Sequence, residues 1–158
     1  MNLISEEGYL TFVEEFNDLH KVQKPHWVKE KEIAAAFGDR SENAEYISAK
    51  EMLRNIDKRL RFLEKIINSS KVVQIQNLDH SKINFGSCVT LLDLRTNKIT
   101  TYSILGTYEA NPSSMIISNI SPLGKSLLNK EKGEDFEFII NSCVYEYEIL
   151  EVSLHIPK

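Results

Sequence analysis

The spacing of apolar residues changes once along the chain, near residue 70. From residue 5 to about residue 69 they recur at helical intervals, and after residue 71 they form short β-branched runs broken by Gly, Asn, Pro and Ser. A length of 158 residues can hold two small domains. The pattern therefore predicts an α+β protein with one domain at 1–70 and another at 71–158.

The clearest periodicity lies in the second half of the first domain. Intervals of three and four residues alternate through Tyr46, Ala49, Leu53, Ile56, Leu60, Leu63 and Ile67. This spacing is the seam of a coiled coil. The preceding segment repeats the spacing at Tyr9, Phe12, Phe16 and Leu19 and again at Ile33 and Phe37, with Pro25 predicted to bend the helix between them. Two antiparallel helices in one hairpin are expected.

A stop signal and a start signal stand side by side between these helices. Gly38 can take the left-handed conformation that ends a helix, and Asp39 can cap the next one. If the second helix runs over 42–69, it is about 40 Å long. A hairpin of this kind is too slender to be a catalytic domain, yet it can reach into a deep channel.

The second domain is predicted to be a small, mainly antiparallel sheet with one short helix. Its strand-like runs are 72–75, 88–94, 98–105, 115–118, 136–140 and 144–152. Asn97 is typical of a hairpin turn, and Ser121 is the expected N-cap of a helix over 122–129 that begins with Pro122.

Composition narrows the class of protein. The chain has 42% apolar and 27% charged residues, and it has neither a run of about 18 apolar residues nor a signal-like N-terminus. A cytoplasmic protein without a membrane contact is therefore expected. The net charge of −4 argues against a protein that coats nucleic acid. Cys88 and Cys143 show no metal-binding spacing and are predicted to be buried, reduced thiols.

Asp39 and Glu42 are the first candidates for chemistry, as two carboxylates three positions apart at the end of the hairpin. Mg²⁺ takes oxygen ligands and is often held by only one or two protein carboxylates, so this pair could supply half of a metal site. The same spacing is that of a capping box, which satisfies helix N-terminal donors without any further function. Spacing alone favours the cap.

A basic stripe is the second candidate. Lys50, Arg54, Lys58, Arg61 and Lys65 fall within an arc of roughly 80° on the second helix. Such a row could follow an RNA phosphate backbone. The pattern alone slightly favours a solvated face with helical ion pairs to neighbours such as Asp57 and Glu64.

The end of the hairpin resembles a known motif. The nine residues Gly38-Asp39-Arg40-Ser41-Glu42-Asn43-Ala44-Glu45-Tyr46, here called the tip motif, resemble the tip of the Gre transcript-cleavage factors, and residues 39–41 resemble the GreB branch more than the GreA branch. Similar stretches are Ser5-Glu6-Glu7-Gly8-Tyr9, Ile117-Ser118 and Ser121-Pro122-Leu123-Gly124-Lys125-Ser126-Leu127-Leu128, so the resemblance spans essentially the whole chain.

This resemblance implies a coiled-coil hairpin followed by an FKBP-like domain. It also implies a monomeric factor that is not itself an enzyme. Its globular domain would dock at the rim of the secondary channel of bacterial RNA polymerase, through Ser121, Pro122, Leu123 and Gly124. Asp39 and Glu42 would help hold a Mg²⁺ ion shared with the polymerase, and the factor alone binds no cofactor.

By the same resemblance, polymerase would cleave the extruded 3′ end of nascent RNA in backtracked complexes. Ser41, Asn43 and Tyr46 would position the tip, and the basic stripe would guide the RNA.

Two departures from the family pattern concern the docking surface. Ile120 stands where a polar residue is usual, and Asn111 replaces a frequent Asp. Affinity for polymerase and the length of RNA released remain open. Two other functions are also open: a channel-binding inhibitor without cleavage activity, and a coiled-coil chaperone or isomerase-like module, although a fold alone confers no such activity.

Overall fold

The computed structural model of the chain describes residues 2–38 and 43–157. Its strands are β1 (Asn2–Ser5), β2 (Ser70–Val73), β3 (Ser87–Asp93), β4 (Ile99–Leu105), β5 (Ile116–Ser118), β6 (Asp135–Ile140) and β7 (Cys143–Leu154). Its helices are α1 (Glu6–Asp18), α2 (Lys24–Ala35), α3 (Ala44–Ser69) and α4 (Pro122–Leu127). They form two compact units: a hairpin unit, Tyr9–Ser69, and a globular unit, Met1–Gly8 with Ser70–Lys158.

The hairpin has two arms: α1 and α2 form the first, and α3 forms the second. The first arm is interrupted next to Pro25. A π-helical segment, Leu19–Gln23, joins α1 to α2, and Pro25 lies in the first turn of α2. Because proline has no N–H and its ring crowds the carbonyl one turn earlier, a regular α-helix is strained at this place. The wider π turn is the form that the predicted irregularity takes.

The two arms pack through an apolar seam. Leu19, Ile56, Leu60 and Leu63 are buried in one cluster, and Phe12, Phe16 and Trp27 pack against it. The predicted spacing is confirmed for these α3 positions and for Ala49. Ile66, which lies off the predicted seam, is also fully buried, so the apolar contact of α3 is wider near its end than a strict coiled-coil seam.

Two ion pairs fix the register of the arms. Arg59 donates to both carboxylate oxygens of Glu15 at 2.6 and 2.9 Å, and Lys24 lies 2.7 Å from Asp57. The hydrogen bonds from Arg59 lower the pKa of Glu15. Because all four side chains are partly exposed to solvent, each pair contributes only about 0.2–1 kcal/mol, and its main effect is on alignment.

The globular unit is built on a five-stranded sheet in the order β5-β4-β3-β7-β6. Neighbouring strands are antiparallel except for the parallel β4–β5 pair. The buried core consists of Ile83, Val89, Leu91, Ile104, Leu127 and Ile149, with Leu127 supplied by α4. A helical hairpin followed by a curled, mixed β domain confirms the predicted α+β class.

The first residues of the chain belong to the globular unit. β1 pairs in parallel with β2, from Asn2 opposite Ser70 to Ser5 opposite Val73. The division inferred from the sequence places residues 1–8 with the hairpin, because a four-residue strand is too short to show alternation. In the structure α1 therefore begins in the globular unit and continues into the hairpin.

Gly8 is required by a close approach in the first turn of α1. A Cβ on residue 8 would lie 2.2 Å from Oε1 of Glu109, 2.8 Å from its Cδ and 3.0 Å from its Cγ. Glu109 could move away only by giving up its hydrogen bonds to Ser5 and Gly106.

We therefore expect Gly8→Ala to lower the free energy of unfolding by about 1 kcal/mol or more. In an unhindered helix the same change is stabilising by about 1 kcal/mol. Urea unfolding measures whether the free energy of unfolding falls or rises. Asn55→Ala on the exposed face of α3 is the control for helix propensity. Stabilisation of both variants would contradict the close packing.

Candidate functional site

Asn43 connects the two arms at the end of the hairpin. Its Oδ1 accepts a hydrogen bond from Tyr46 N at 3.1 Å, so Asn43 is the N-cap of α3. Its Nδ2 donates to Ala34 O at 2.7 Å, in the last turn of α2. One amide side chain thus bonds a backbone donor at the start of one helix and a backbone carbonyl at the end of the other.

This arrangement corrects the expected start of the second helix. The sequence predicts Asp39 as the cap of a helix from about residue 42, whereas α3 begins at Ala44 with Asn43 as its cap. The capping role suggested by the spacing of Asp39 and Glu42 is therefore filled by another residue. Asp39, Arg40, Ser41 and Glu42 themselves lie outside the described residues.

The described residues on either side of positions 39–42 have specific conformations or contacts. Gly38 has φ 142°, a conformation that favours glycine. On the other side, Lys31 Nζ lies 5.9 Å from the centroid of the Tyr46 ring, which is half-buried against the hairpin. Asn43 and Tyr46 thus lie at the end of the hairpin, and their positioning roles stay a prediction. Lys31 has no sequence pattern that points to it.

The five residues of the basic stripe are all exposed on α3. Arg54 donates to Glu51 at 2.8 Å, so it takes part in a helical ion pair. Within the described residues, no ion pair involves Lys50, Lys58, Arg61 or Lys65. The stripe therefore lies on one solvent-facing side of α3, and four of its cations are available to an external anion.

The predicted docking residues divide into structural and exposed ones. Ser121 Oγ accepts from Gly124 N at 3.1 Å and donates to Ser118 O at 2.6 Å, which confirms its role as the N-cap of α4. Gly124 is buried, and a Cβ there would lie 2.1 Å from Ser118 O. Leu123 packs against the globular core.

The exposed part of this region is formed by Pro122 and Ile120, the latter 54% exposed. A partner could touch these two side chains directly, whereas Ser121, Leu123 and Gly124 mainly hold the loop in shape. Asn111 is the second departure from the family pattern. Its side chain accepts a hydrogen bond from Ser113 N at 3.0 Å, and an Asp at this position could accept the same hydrogen bond.

The two cysteines are not joined in a disulfide bond. Cys88 and Cys143 are both free, but Cys88 is only half-buried and Cys143 is exposed, so the predicted burial of Cys143 is wrong. It opens β7 directly after the tight turn at Asn141 and Ser142, where little covers it. Across residues 2–38 and 43–157 no group of three metal-ligating side chains occurs, and no helix there has the length and apolar character needed to cross a membrane.

Comparison with known proteins shows the family. Residues 2–72 match the family model described as "Transcription elongation factor, N-terminal", and residues 78–154 match "Transcription elongation factor, GreA/GreB, C-term". The chain belongs to the GreA/GreB family of transcription elongation factors.

Curated relatives cover nearly the whole chain. The transcription elongation factor GreA of Helicobacter pylori strain Shi470 is 38% identical over 149 residues, covering 94% of this chain and 91% of the relative. GreA of Helicobacter hepaticus is 37% identical over 145 residues, covering 92% and 89%. These relatives carry the name GreA, and the closer resemblance of residues 39–41 to the GreB branch stays a prediction.

Two solved structures are similar at lower identity. The GreA factor homolog 1 (Gfh1) of Thermus thermophilus is 20% identical with a TM-score of 0.44, and covers 96% of this chain and 97% of its own. The GreA/GreB factor of Nitrosomonas europaea is 16% identical with a TM-score of 0.43, at the same coverages of 96% and 97%. The family assignment therefore depends on the matches to the family models and to the curated relatives, and not on these two structures.

Proposed function

We propose that this factor binds bacterial RNA polymerase, inserts its hairpin through the secondary channel and stimulates cleavage of the 3′ end of nascent RNA in backtracked complexes. The observation that carries this proposal is the Asn43 cap. Because Asn43 caps α3, the Asp39 and Glu42 carboxylates are not needed to start that helix. Two carboxylates that the start of the helix does not use are available as ligands for a metal ion.

The donor set fits half of a Mg²⁺ site. Two carboxylates are the hard oxygen ligands that Mg²⁺ takes, and the rest of its shell would come from polymerase, RNA and water. When bound, a second Mg²⁺ supplies activation of a water and stabilisation of the charge that develops on the phosphodiester. The chain itself contributes the two carboxylates and the Asn43 cap beside them. The catalytic activity is thus that of polymerase.

Two other regions would support this action. The exposed cations of the stripe would attract the extruded RNA backbone. The loop around Ile120 and Pro122, held in shape by Ser121 and Gly124, would contact the channel rim. An apolar Ile120 favours an apolar contact on the rim in place of a polar one.

The test uses stalled, backtracked elongation complexes. Addition of the protein with Mg²⁺ should shorten the RNA, and the shortened RNA should resume growth when nucleotides are supplied. Binding without shortening would instead identify a channel-binding inhibitor. A protein that neither binds polymerase nor shortens the RNA would instead favour the chaperone or isomerase-like module. RNA alone, without polymerase, should stay intact.

The stripe gives a separate prediction. The double variant Lys58→Ala/Arg61→Ala should reduce crosslinking of the factor to the RNA 3′ end. The slope of log K for RNA binding against log salt should fall by about 1.4, roughly 0.7 for each lost phosphate contact on a single strand. The charge-matched control is Lys21→Ala/Lys29→Ala, which removes two exposed cations from the other arm. Equal crosslinking by both double variants would show that the stripe is only a solvated face.

A further inference from the structure

β6 forms one edge of the five-stranded sheet. The sheet order is β5-β4-β3-β7-β6, and β6 pairs with β7 from Asp135 opposite Glu148 to Ile140 opposite Cys143. Across residues 2–38 and 43–157 no strand pairs with the other side of β6. This edge strand of 6 residues therefore keeps one row of backbone donors and acceptors without a strand partner.

The tight turn between β6 and β7 shows which backbone groups of β6 face the free edge. Asn141 and Ser142, the two residues of the turn, have φ 50° and 65°, as a type I′ hairpin requires. In such a hairpin the pair that closes the turn is hydrogen-bonded, and hydrogen-bonded pairs then alternate with non-bonded ones along the strands. The N–H and C=O groups that face the free edge are therefore those of Asp135, Glu137 and Ile139.

The two faces of β6 differ in the character of their side chains. Asp135, Glu137 and Ile139 lie on the outer face of the sheet and are all exposed, Ile139 by 64%. Phe136 and Phe138 lie on the opposite face, where Phe136 packs against the globular core and Phe138 is itself buried. A strand added beside β6 would continue both faces, because successive side chains of a strand alternate between them.

The carboxylates of the outer face have no cation beside them. In the register of β6 and β7, Glu137 is opposite Glu146 and Asp135 is opposite Glu148. None of these side chains belongs to an ion pair among the described residues. Like charges directly opposite each other on neighbouring strands are destabilising. Since β7 occupies one side of β6, the free side is the cross-strand position that cations can take.

We propose that the free edge of β6 binds an extended, basic segment of a partner protein as an additional antiparallel strand. Lys or Arg at alternate positions of that segment pairs across the strands with Asp135 and Glu137, and the apolar residues between them extend the face of Phe136 and Phe138. A second copy of β6 would add more carboxylates to the outer face, so the charge favours a basic partner over self-association. This surface is separate from the loop predicted to dock on polymerase, which follows β5 at the other edge of the sheet.

The first experiment measures where a basic strand binds on the intact chain. The probe is a short synthetic peptide in which lysine alternates with valine, and the readout is amide hydrogen exchange followed by NMR. Saturating peptide should slow the exchange of the Asp135, Glu137 and Ile139 amides by about tenfold or more. The Phe136 and Phe138 amides already bond to β7 and should change little. No binding of the peptide, or no added protection of the outward amides, would overturn the proposal.

The second experiment separates strand addition from attraction between opposite charges. Opposite Asp135 and Glu137, the N–H groups of the peptide's lysines face β6, whereas those of its valines face away. N-methylation of the lysine amides should therefore abolish binding, and N-methylation of the valine amides should preserve it. If the peptide methylated at its lysines binds as well as the unmethylated one, β6 does not take up an added strand.

Charge variants test the chemistry of the partner. Asp135→Asn/Glu137→Gln should weaken binding of the lysine–valine peptide about fivefold, the size expected for two cross-strand ion pairs. Because this change relieves like-charge repulsion, the variant should be at least as stable to urea as the unsubstituted protein. The charge-matched control Glu14→Gln/Glu30→Gln removes two exposed carboxylates from the hairpin and should bind within about twofold of the unsubstituted protein. Equal weakening by the two double variants would show attraction to net charge alone. A dimer that protects the same amides without peptide would identify a second copy as the occupant, and either result would overturn the proposal.

Discussion

Asp39→Ala and Glu42→Ala are each expected to reduce stimulated RNA cleavage to the rate that polymerase shows without the factor. Removal of one carboxylate leaves a metal ion with one protein ligand from the factor and with less charge compensation. Loss of several kcal/mol of transition-state stabilisation corresponds to at least about a hundredfold in rate. The measurement is the single-turnover rate of RNA shortening in backtracked complexes.

Three controls separate ligand loss from other effects. Glu30→Ala removes an exposed carboxylate from the other arm and should cleave normally. Binding of both tip variants to polymerase, measured by competition, should be largely unchanged. Asp39→Asn should recover part of its rate at raised Mg²⁺ concentration, because weakened metal affinity is offset by mass action. Full cleavage by both alanine variants would rule out the ligand role.

Much of the fold could be predicted because local signals agree with the packing. The three-and-four spacing of Ile56, Leu60 and Leu63 directly reflects the face that α3 buries. Asn97 has φ 59° in its turn and Ser121 caps α4, as their residue types indicate. Each of these features is decided within a few residues of the chain.

Features that depend on distant segments could not be predicted in this way. β1 exists because Asn2–Ser5 lies beside Ser70–Val73, and four residues carry no visible alternation. Glu109 contacts Ser5 across 104 positions of sequence. The burial of Ile66 and the exposure of Cys143 likewise depend on which segments the fold places beside them.

The candidate site likewise has features that the sequence predicts and features that only the structure shows. Residue types and resemblance lead to Asp39, Glu42 and the stripe, but they leave the choice between a cap and a metal ligand open. Cap-forming residue types stand at Asp39, Ser41 and Asn43, and only the observed start of α3 shows that Asn43 is the cap. Similarly, only burial shows that Leu123 and Gly124 mainly support the shape of the loop that is predicted to dock.

Asn43→Ala is expected to have the second-largest effect on cleavage. It removes the cap of α3 and the hydrogen bond to Ala34 O, and should lower the free energy of unfolding of the hairpin by about 1–2 kcal/mol. The carboxylates of the adjacent segment would then be held less firmly, so the cleavage rate at saturating factor should fall about tenfold or more. Urea unfolding and single-turnover cleavage measure the two effects separately.

Asn43→Asp distinguishes the two hydrogen bonds, because an ionised Asp accepts but cannot donate. It keeps the bond from Tyr46 N and loses the one to Ala34 O, a carbonyl that also accepts from Phe37 N at 3.1 Å. Its stability should therefore stay closer to that of the unsubstituted protein, while its cleavage rate falls nearly as far as that of Asn43→Ala. Asn55→Ala, an exposed Asn of the same helix, serves as the control. If Asn43→Asp cleaves normally, the link between the arms does not position the tip, and the cap alone accounts for the choice of Asn.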